Sequence, residues 1–415
     1  MLTRAIDQVV RREGPRVLAG LIRALGDFDL AEEALQGAYT RALEVWPVRG
    51  LPERPGAWLA TVARRRGVDE LRRRRPDLSL DGPLAEVLAT PEPDPSTVLP
   101  PERDELGDDR LRLLFVCCHP ALAPAARTGL ALRTLCGLTT QEISRAYLEP
   151  EATTAQRLVR AKRKIAEAGI PFEVPPTEQL PERLEGVLEV VYLVFNEGFS
   201  ATEGEAWIRP ELCAEAIRLG RLVVELLPGT AEAEGLLALM LLHDARRAAR
   251  TSSDGTPVPL EEQDRRLWAR EVIDEGVGML DRAIARGAPG PYQLQAAIAA
   301  LHAKSPGPER TDWPQISALY CALLRYLPGP IVELNAAAAL AMAEGPERGL
   351  AWMERLRESG ALEGYHLLPA AQADLLRRLG RTTEARAAYR QALEWVRHPA
   401  ERTFLERRLA ALGNG

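Results

Sequence analysis

Leu138-Thr139-Thr140-Gln141-Glu142-Ile143 and, after Leu148-Glu149-Pro150, the run Glu151-Ala152-Thr153-Thr154-Ala155-Gln156-Arg157-Leu158-Val159-Arg160-Ala161-Lys162-Arg163-Lys164-Ile165 carry the clearest fold signal in this chain. Thr139-Thr140 with Glu142 supplies the capping chemistry of a helix start. Leu148-Glu149-Pro150 then separates that short helix from a second one. Thr154, Leu158, Ala161 and Ile165 share one stripe at spacings of four, three and four, so that stripe faces a core. The opposite face presents Ala152, Gln156, Arg160 and Arg163, with Thr153, Arg157 and Lys164 alongside. Residues 157–164 hold five basic groups and no acid. Small and polar groups near the helix start can approach base edges, and Arg/Lys further along can grip phosphates. The plainer reading is a solvated basic helix, but with the capped helix and the turn before it a DNA-reading helix-turn-helix is the expectation.

Working outward, Asp109–Cys118 and Pro124–Cys136 read as helices that complete a small unit with Thr140–Tyr147 and Glu151–Ala168. At the other end, residues 3–25 and 29–46 read as amphipathic helices, the second entered through Asp29 as N-cap. Pro47–Pro55 reads as a loop and Gly56–Arg75 as a third helix, stopped by Pro76. Residues 64–75 hold seven Arg against Asp69 and Glu70, a density that calls for screening by an anion or by solvent, and a phosphate backbone is the natural partner. Asp69 is placed to hold Arg72 and Arg73, and Trp58 reads as a core anchor.

Between these blocks, residues 77–109 carry ten carboxylates and one Arg, and residues 76–101 hold seven Pro. That composition describes an extended linker. Residues 1–173 without the acidic segment hold 25 basic against 15 acidic groups, whereas the chain as a whole is −6. Two basic blocks on an acidic tether suit a polyanion.

Beyond about Val174 the chain stays helical. Gly290-Pro291-Tyr292, Pro330-Ile331-Val332 and Gly364-Tyr365-His366 each open a helix followed by a second one, at intervals of 40 and 34 residues from Pro291 to Ile331 to Tyr365. That is close to the tetratricopeptide period. Ala373, Leu376, Leu379-Gly380-Arg381, Ala385, Tyr389 and Ala392-Leu393 follow the small/large packing of that repeat. Stacked repeats of this kind present a face for a protein or peptide partner. The expected organisation is therefore 1–76, a linker at 77–108, 109–172 and 173–415, all-α throughout.

With 415 residues, 5% aromatics and five unpatterned Cys, the composition favours helices and argues against a disulfide framework. No apolar run reaches the length of a signal peptide or membrane span, so a cytoplasmic protein without a membrane partner is expected. Cys117-Cys118-His119 with Cys136 lacks a second paired ligand set, so no metal or cofactor is expected. His243-Asp244, with Asn196-Glu197, could be a base and its orienter, but no nucleophile motif, phosphate loop or metal signature accompanies them. Buried polar residues tying helices together explain them better.

Two sets of motifs point to a family. Asp29-Leu30-Ala31-Glu32-Glu33-Ala34-Leu35-Gln36 and Ala57-Trp58-Leu59 through Asp69-Glu70-Leu71-Arg72 resemble region two of bacterial sigma factors of the extracytoplasmic-function group. Leu138–Ile143 with Pro150–Arg163 resembles their region four, and the C-terminal part resembles the subgroup with a long tetratricopeptide-like extension. The resemblance implies a non-enzymatic promoter-specificity subunit. Glu32, Glu33, Gln36 and Tyr39 would contact the β′ clamp helices of core RNA polymerase, and region four would meet the β flap. Arg64, Arg65, Arg72 and Arg73 would hold phosphates at the −10 element. Ala152, Thr153, Gln156, Arg157, Arg160 and Arg163 would read the −35 element. Gly37 stands where an acidic residue is common, and Ala155 where a basic one is. Two other readings remain at this point: a helix-turn-helix regulator with a C-terminal repeat sensor domain, and an enzyme housed in the C-terminal domain.

Overall fold

A computed structural model describes residues 2–74, 105–146, 149–176, 178–200 and 207–413. The described residues form eighteen α-helices and no strand beyond one isolated bridge, Thr251 to Pro257. The chain divides into Met1–Val194 and Phe195–Gly415. Most of the expected linker, residues 77–104, lies outside the described residues.

The first unit begins with α1 (Leu2–Leu25), α2 (Phe28–Arg49) and α3 (Pro55–Arg74), which pack on one another. Asp27, and not Asp29, caps α2: its Oδ1 accepts the Leu30 amide at 2.9 Å. Asp29 instead becomes a first-turn carboxylate, favourably placed at the positive end of the helix. The expected loop from Pro47 is also shorter than the sequence implies. α2 runs through Pro47 to Arg49 and closes where Gly50, at φ 86°, donates its amide to the Trp46 carbonyl. A proline so near the end removes one ladder bond, and burial of Trp46 keeps the last turn in place. Trp46 and Trp58 meet at 5.3 Å between ring centroids, tilted, both almost fully buried. Gly67 allows α3 its close crossing, because a Cβ there would lie 2.6 Å from Leu25 Cδ1.

Next come α4 (Glu105–Cys117), α5 (Pro124–Thr134), α6 (Thr140–Ala146) and α7 (Glu151–Glu167), with α4 packed against α1. Leu111, Leu114, Phe115, Leu130, Leu135 and Ile143 are sealed in their core. Cys117 and Cys118 lie buried at the end of α4, and Cys117 Sγ sits 3.4 Å from Thr134 Oγ1. Burial pushes the Cys117 thiol up to about 12, only partly countered by that hydrogen bond. α8 (Leu180–Phe199) follows, and the division between units falls inside it.

The second unit holds α9 (Pro210–Leu226), α10 (Ala231–Asp244), α11 (Arg270–Ala285) and α12 (Pro291–Lys304). α10 is buried on every side, as its run of Ala, Leu and Met requires. Its two first-turn acids are both used. Glu232 accepts the Tyr292 and Gln293 amides at 2.9 and 3.2 Å, capping α12, and buried Glu234 makes paired 2.7 Å bonds to Arg286. The rest is a succession of helices, each packed on the next: α13 (Trp313–Tyr326), α14 (Pro330–Glu344), α15 (Pro346–Glu358), α16 (Leu367–Arg378), α17 (Thr382–Trp395) and α18 (Pro399–Ala411). Ala373, Leu376, Ala385, Tyr389 and Ala392 are buried where α16, α17 and α18 meet. Of the other large residues in the sequence's small/large pattern, Leu379 and Leu393 are half-buried.

Candidate functional site

Thr139 and Glu142 form a reciprocal capping box at the start of α6. The Glu142 amide donates to Thr139 Oγ1 at 3.1 Å, and the Thr139 amide donates to Glu142 Oε2 at 2.8 Å. α7 enters through Pro150 and buries Thr154, Leu158, Ala161 and Ile165, the four residues of the apolar stripe. Ala152, Thr153, Gln156, Arg160 and Arg163 are exposed on the opposite side. Arg160 donates to Gln156 Oε1 at 3.1 Å, and Arg163 pairs with Glu167 at 2.7 Å.

Arg157 occupies a different setting. It turns into the break between α6 and α7 and pairs with Glu149, which also accepts Thr154 Oγ1 at 2.5 Å. Burial works against the charged form of Glu149. The hydrogen bonds from Thr154 and Arg157, with the Arg157 charge, outweigh it and hold the carboxyl below the usual carboxylate range. Sequence reasoning missed Glu149, because an acid before Pro150 carries no local sign of a partner eight residues away.

In α2 the four residues singled out for polymerase separate into two groups. Glu32, Gln36 and Tyr39 line a cavity of about 220 Å³, closed by Gly14 and Pro15 of α1 and by Arg133, Thr134 and Thr139. A Cβ at Gly14 would collide with the Tyr39 hydroxyl, so glycine is what admits that ring. Burial raises the Tyr39 phenol well above its ordinary value, with the Arg133 charge opposing it. Glu33 points elsewhere and pairs with Arg74 at 2.7 Å.

Glu32 is not a bare surface acid. Its Oε2 accepts Lys162 Nζ at 2.7 Å, and Oε1 lies 3.8 Å from Arg133 Nε. The same ammonium reaches Asp29 at 3.0 Å, and the Lys162 side chain is only 11% exposed. Lys162 thus ties α7 to the first turn of α2 across 133 residues of sequence. Nothing local distinguishes it from the basic residues around it, and only its place beside buried Ala161 turns it inward.

On α3, Arg64 and Arg65 are half-buried and Arg72 and Arg73 exposed at the helix end. Arg73 is held by Glu70 at 3.1 Å, so Glu70 takes the role expected of Asp69. Gly37 lies against this helix, and a Cβ at position 37 would meet the end of the exposed Arg66 side chain, which would have to swing aside.

In the second unit, His243 is buried against Phe199, 4.9 Å between centroids, and its Nδ1 lies 2.8 Å from Arg246 Nη2. Burial, then the Arg246 and Arg250 charges, push its imidazole far below the usual value. Asp244 faces Arg247 at 3.2 Å. Arg250 lies over the Phe199 ring at 3.3 Å and the Trp207 ring at 4.5 Å. The sequence pairing of a base with its orienter is thus replaced by two separate arginine contacts. Among the described residues no cluster of His, Cys, Asp and Glu could hold a metal ion, and no helix is long and apolar enough to cross a membrane.

Residues 9–76, spanning α2 and α3, match the family Sigma-70 region 2, and residues 183–284 match a family of unknown function (DUF6596). An uncharacterised protein of Rhizobium meliloti (strain 1021) is 45% identical over 406 residues, covering 97% of this chain and 95% of that protein. A probable ECF RNA polymerase sigma factor, SigI, of Mycobacterium tuberculosis is 32% identical over 163 residues. That match covers 38% of this chain and about half, 52%, of SigI.

Proposed function

We propose, from the premise that the chain belongs to the same family as the uncharacterised Rhizobium meliloti protein and carries a sigma-70 region 2 domain, that it is a sigma factor of the extracytoplasmic-function type. On this reading it directs core RNA polymerase to promoters bearing −35 and −10 elements, and its C-terminal helices form a regulatory extension of tetratricopeptide type. The observation that carries the reading is the orientation of α7. Its apolar stripe is buried, and Ala152, Thr153, Gln156, Arg160 and Arg163 stand together on the open side.

Each part then has a task. α6 and α7 act as a helix-turn-helix, with the start of α7 at base edges and Arg160 and Arg163 at phosphates. Arg157, held by Glu149, fixes the entry of that helix and meets the backbone only at its flank. The basic end of α3, with Arg72 and Arg73 outward and Arg64 and Arg65 further back, tracks the melted −10 strand. Capture of unstacked bases offsets strand opening, at a few kcal/mol per flipped base. Glu32, Gln36 and Tyr39, with Glu33 on the neighbouring face, meet the β′ clamp helices, and region four meets the β flap. The work is binding and strand separation in the cytoplasm, with bond formation left to the polymerase.

The test is transcription of fragmented genomic DNA by purified core polymerase with and without the protein, reading RNA 5′ ends. New starts sharing paired upstream elements are the expected result. No new starts and no retention of core polymerase would overturn the assignment in favour of a conventional DNA-binding regulator.

A further inference from the structure

Residues 245–269, between α10 and α11, form a strap that crosses the second unit without an α-helix. Short 3-10 turns at Arg247–Ala249, Leu260–Glu262 and Arg265–Leu267 and the bridge from Thr251 to Pro257 are its regular structure. Residues 251–264, Thr-Ser-Ser-Asp-Gly-Thr-Pro-Val-Pro-Leu-Glu-Glu-Gln-Asp, hold four carboxylates and no Lys or Arg. Three of those carboxylates reach arginines on α16 and α18. Asp254 pairs with Arg407 at 2.5 Å. Glu261 takes Arg378 Nη2 with both oxygens, at 3.1 and 3.0 Å, and Glu262 pairs with Arg408. Beneath the strap lies a cavity of about 270 Å³, lined among others by Leu260, His302, Trp313, Tyr389, Phe404 and Arg408.

We infer that Arg378, Arg407 and Arg408 form a docking face for an extended acidic segment of a partner protein, and that the strap is the chain's own occupant of that face. Charge complementarity carries this. An irregular acidic run, with Pro257 and Pro259 inside it, lies on three arginines drawn from two helices, which is how a peptide ligand would be received. The strap is anchored independently of these pairs. Within the strap, Val258 donates its amide to the Arg250 carbonyl at 2.8 Å and Ala269 closes the base on Ala245 at 2.9 Å, and Arg265 ties the strap to the His302 carbonyl at 3.0 Å. The carboxylates can therefore leave while both ends of the strap stay fixed. Their side chains are 47%, 41% and 54% exposed for Asp254, Glu261 and Glu262. Ion pairs so exposed are the weak and salt-sensitive kind, which a competitor can replace. The inference makes no use of polymerase or promoter binding, so it stands or falls apart from that reading.

The experiment uses the full chain and a fluorescein-labelled peptide of residues 251–264, read by anisotropy at low salt. A chain bearing Asp254→Asn, Glu261→Gln and Glu262→Gln should bind the peptide at least tenfold more tightly than the unaltered chain, because its face is no longer self-occupied. Adding Arg378→Glu, Arg407→Glu and Arg408→Glu should abolish that gain. A peptide with Asn, Gln and Gln at the same three positions should not bind. In the unaltered chain, excess acidic peptide should speed hydrogen exchange at the amides of residues 260–262. Equal binding by the unaltered and neutralised chains, equal binding of the neutral peptide, or unchanged exchange would each overturn the inference. Dimerisation of the neutralised chain would also overturn it, giving the face to a second copy.

Discussion

At the residue scale, Lys162 shows how one side chain can matter more than its neighbours of the same charge. Arg160 and Arg163 end in solvent, while Lys162 is enclosed between Asp29 and Glu32. Lys162→Met should lower the stability of the first unit by about 1.5–3 kcal/mol, the net worth of a hydrogen bond to a charged group. Arg163→Met should leave stability within about 0.5 kcal/mol. Urea unfolding of the two variants checks the contrast. His302 offers a pH test in the second unit. Burial, followed by the Arg246 and Arg265 charges, lowers it to about 4, and His243 is shifted the same way. A histidine lowered on folding binds its proton more readily when unfolded. Stability is therefore complete above an ordinary histidine value of about 6.5. It falls as the pH drops from there toward 4, at about 1.4 kcal/mol per pH unit for each such group. Unfolding midpoints at pH 7.5 and 5.5 should show the loss, and His302→Gln should remove the share of His302 and leave that of His243.

At the scale of the element, local chemistry was readable and its closing details were not. The capping box of Thr139 and Glu142 and the four-residue stripe of α7 followed from spacing alone, and both are present. Thr139→Ala should destabilise α6 by about 1 kcal/mol, seen as faster hydrogen exchange at Glu142 and Ile143. The start and end of α2 were misplaced for a shared reason. Asp27 and Asp29 are equally good caps in sequence, and a proline near a helix end stops it only when no buried neighbour, here Trp46, holds the turn. Close crossings were also invisible beforehand. A Cβ at Gly349 of α15 would come 2.6 Å from the Ala337 carbonyl of α14, so Gly349→Ala should cost about 1–3 kcal/mol. Thermal unfolding of that variant checks it.

At the scale of the whole molecule, composition and charge were enough to give an all-α chain with basic and acidic regions, because those quantities sum over many residues. The tie from Lys162 to α2 and the strap's arginine pairs were not legible, because each joins residues more than a hundred positions apart. Two units with separate cores should unfold in more than one step, and scanning calorimetry should resolve a component that weakens on acidification. The strap also has a history in time. Asp254 is made 153 residues before Arg407. At about 5–20 residues per second of synthesis, that carboxylate waits roughly 8–30 seconds on the ribosome for its arginine. In every round of translation, then, the acidic run is made before the arginines that will hold it.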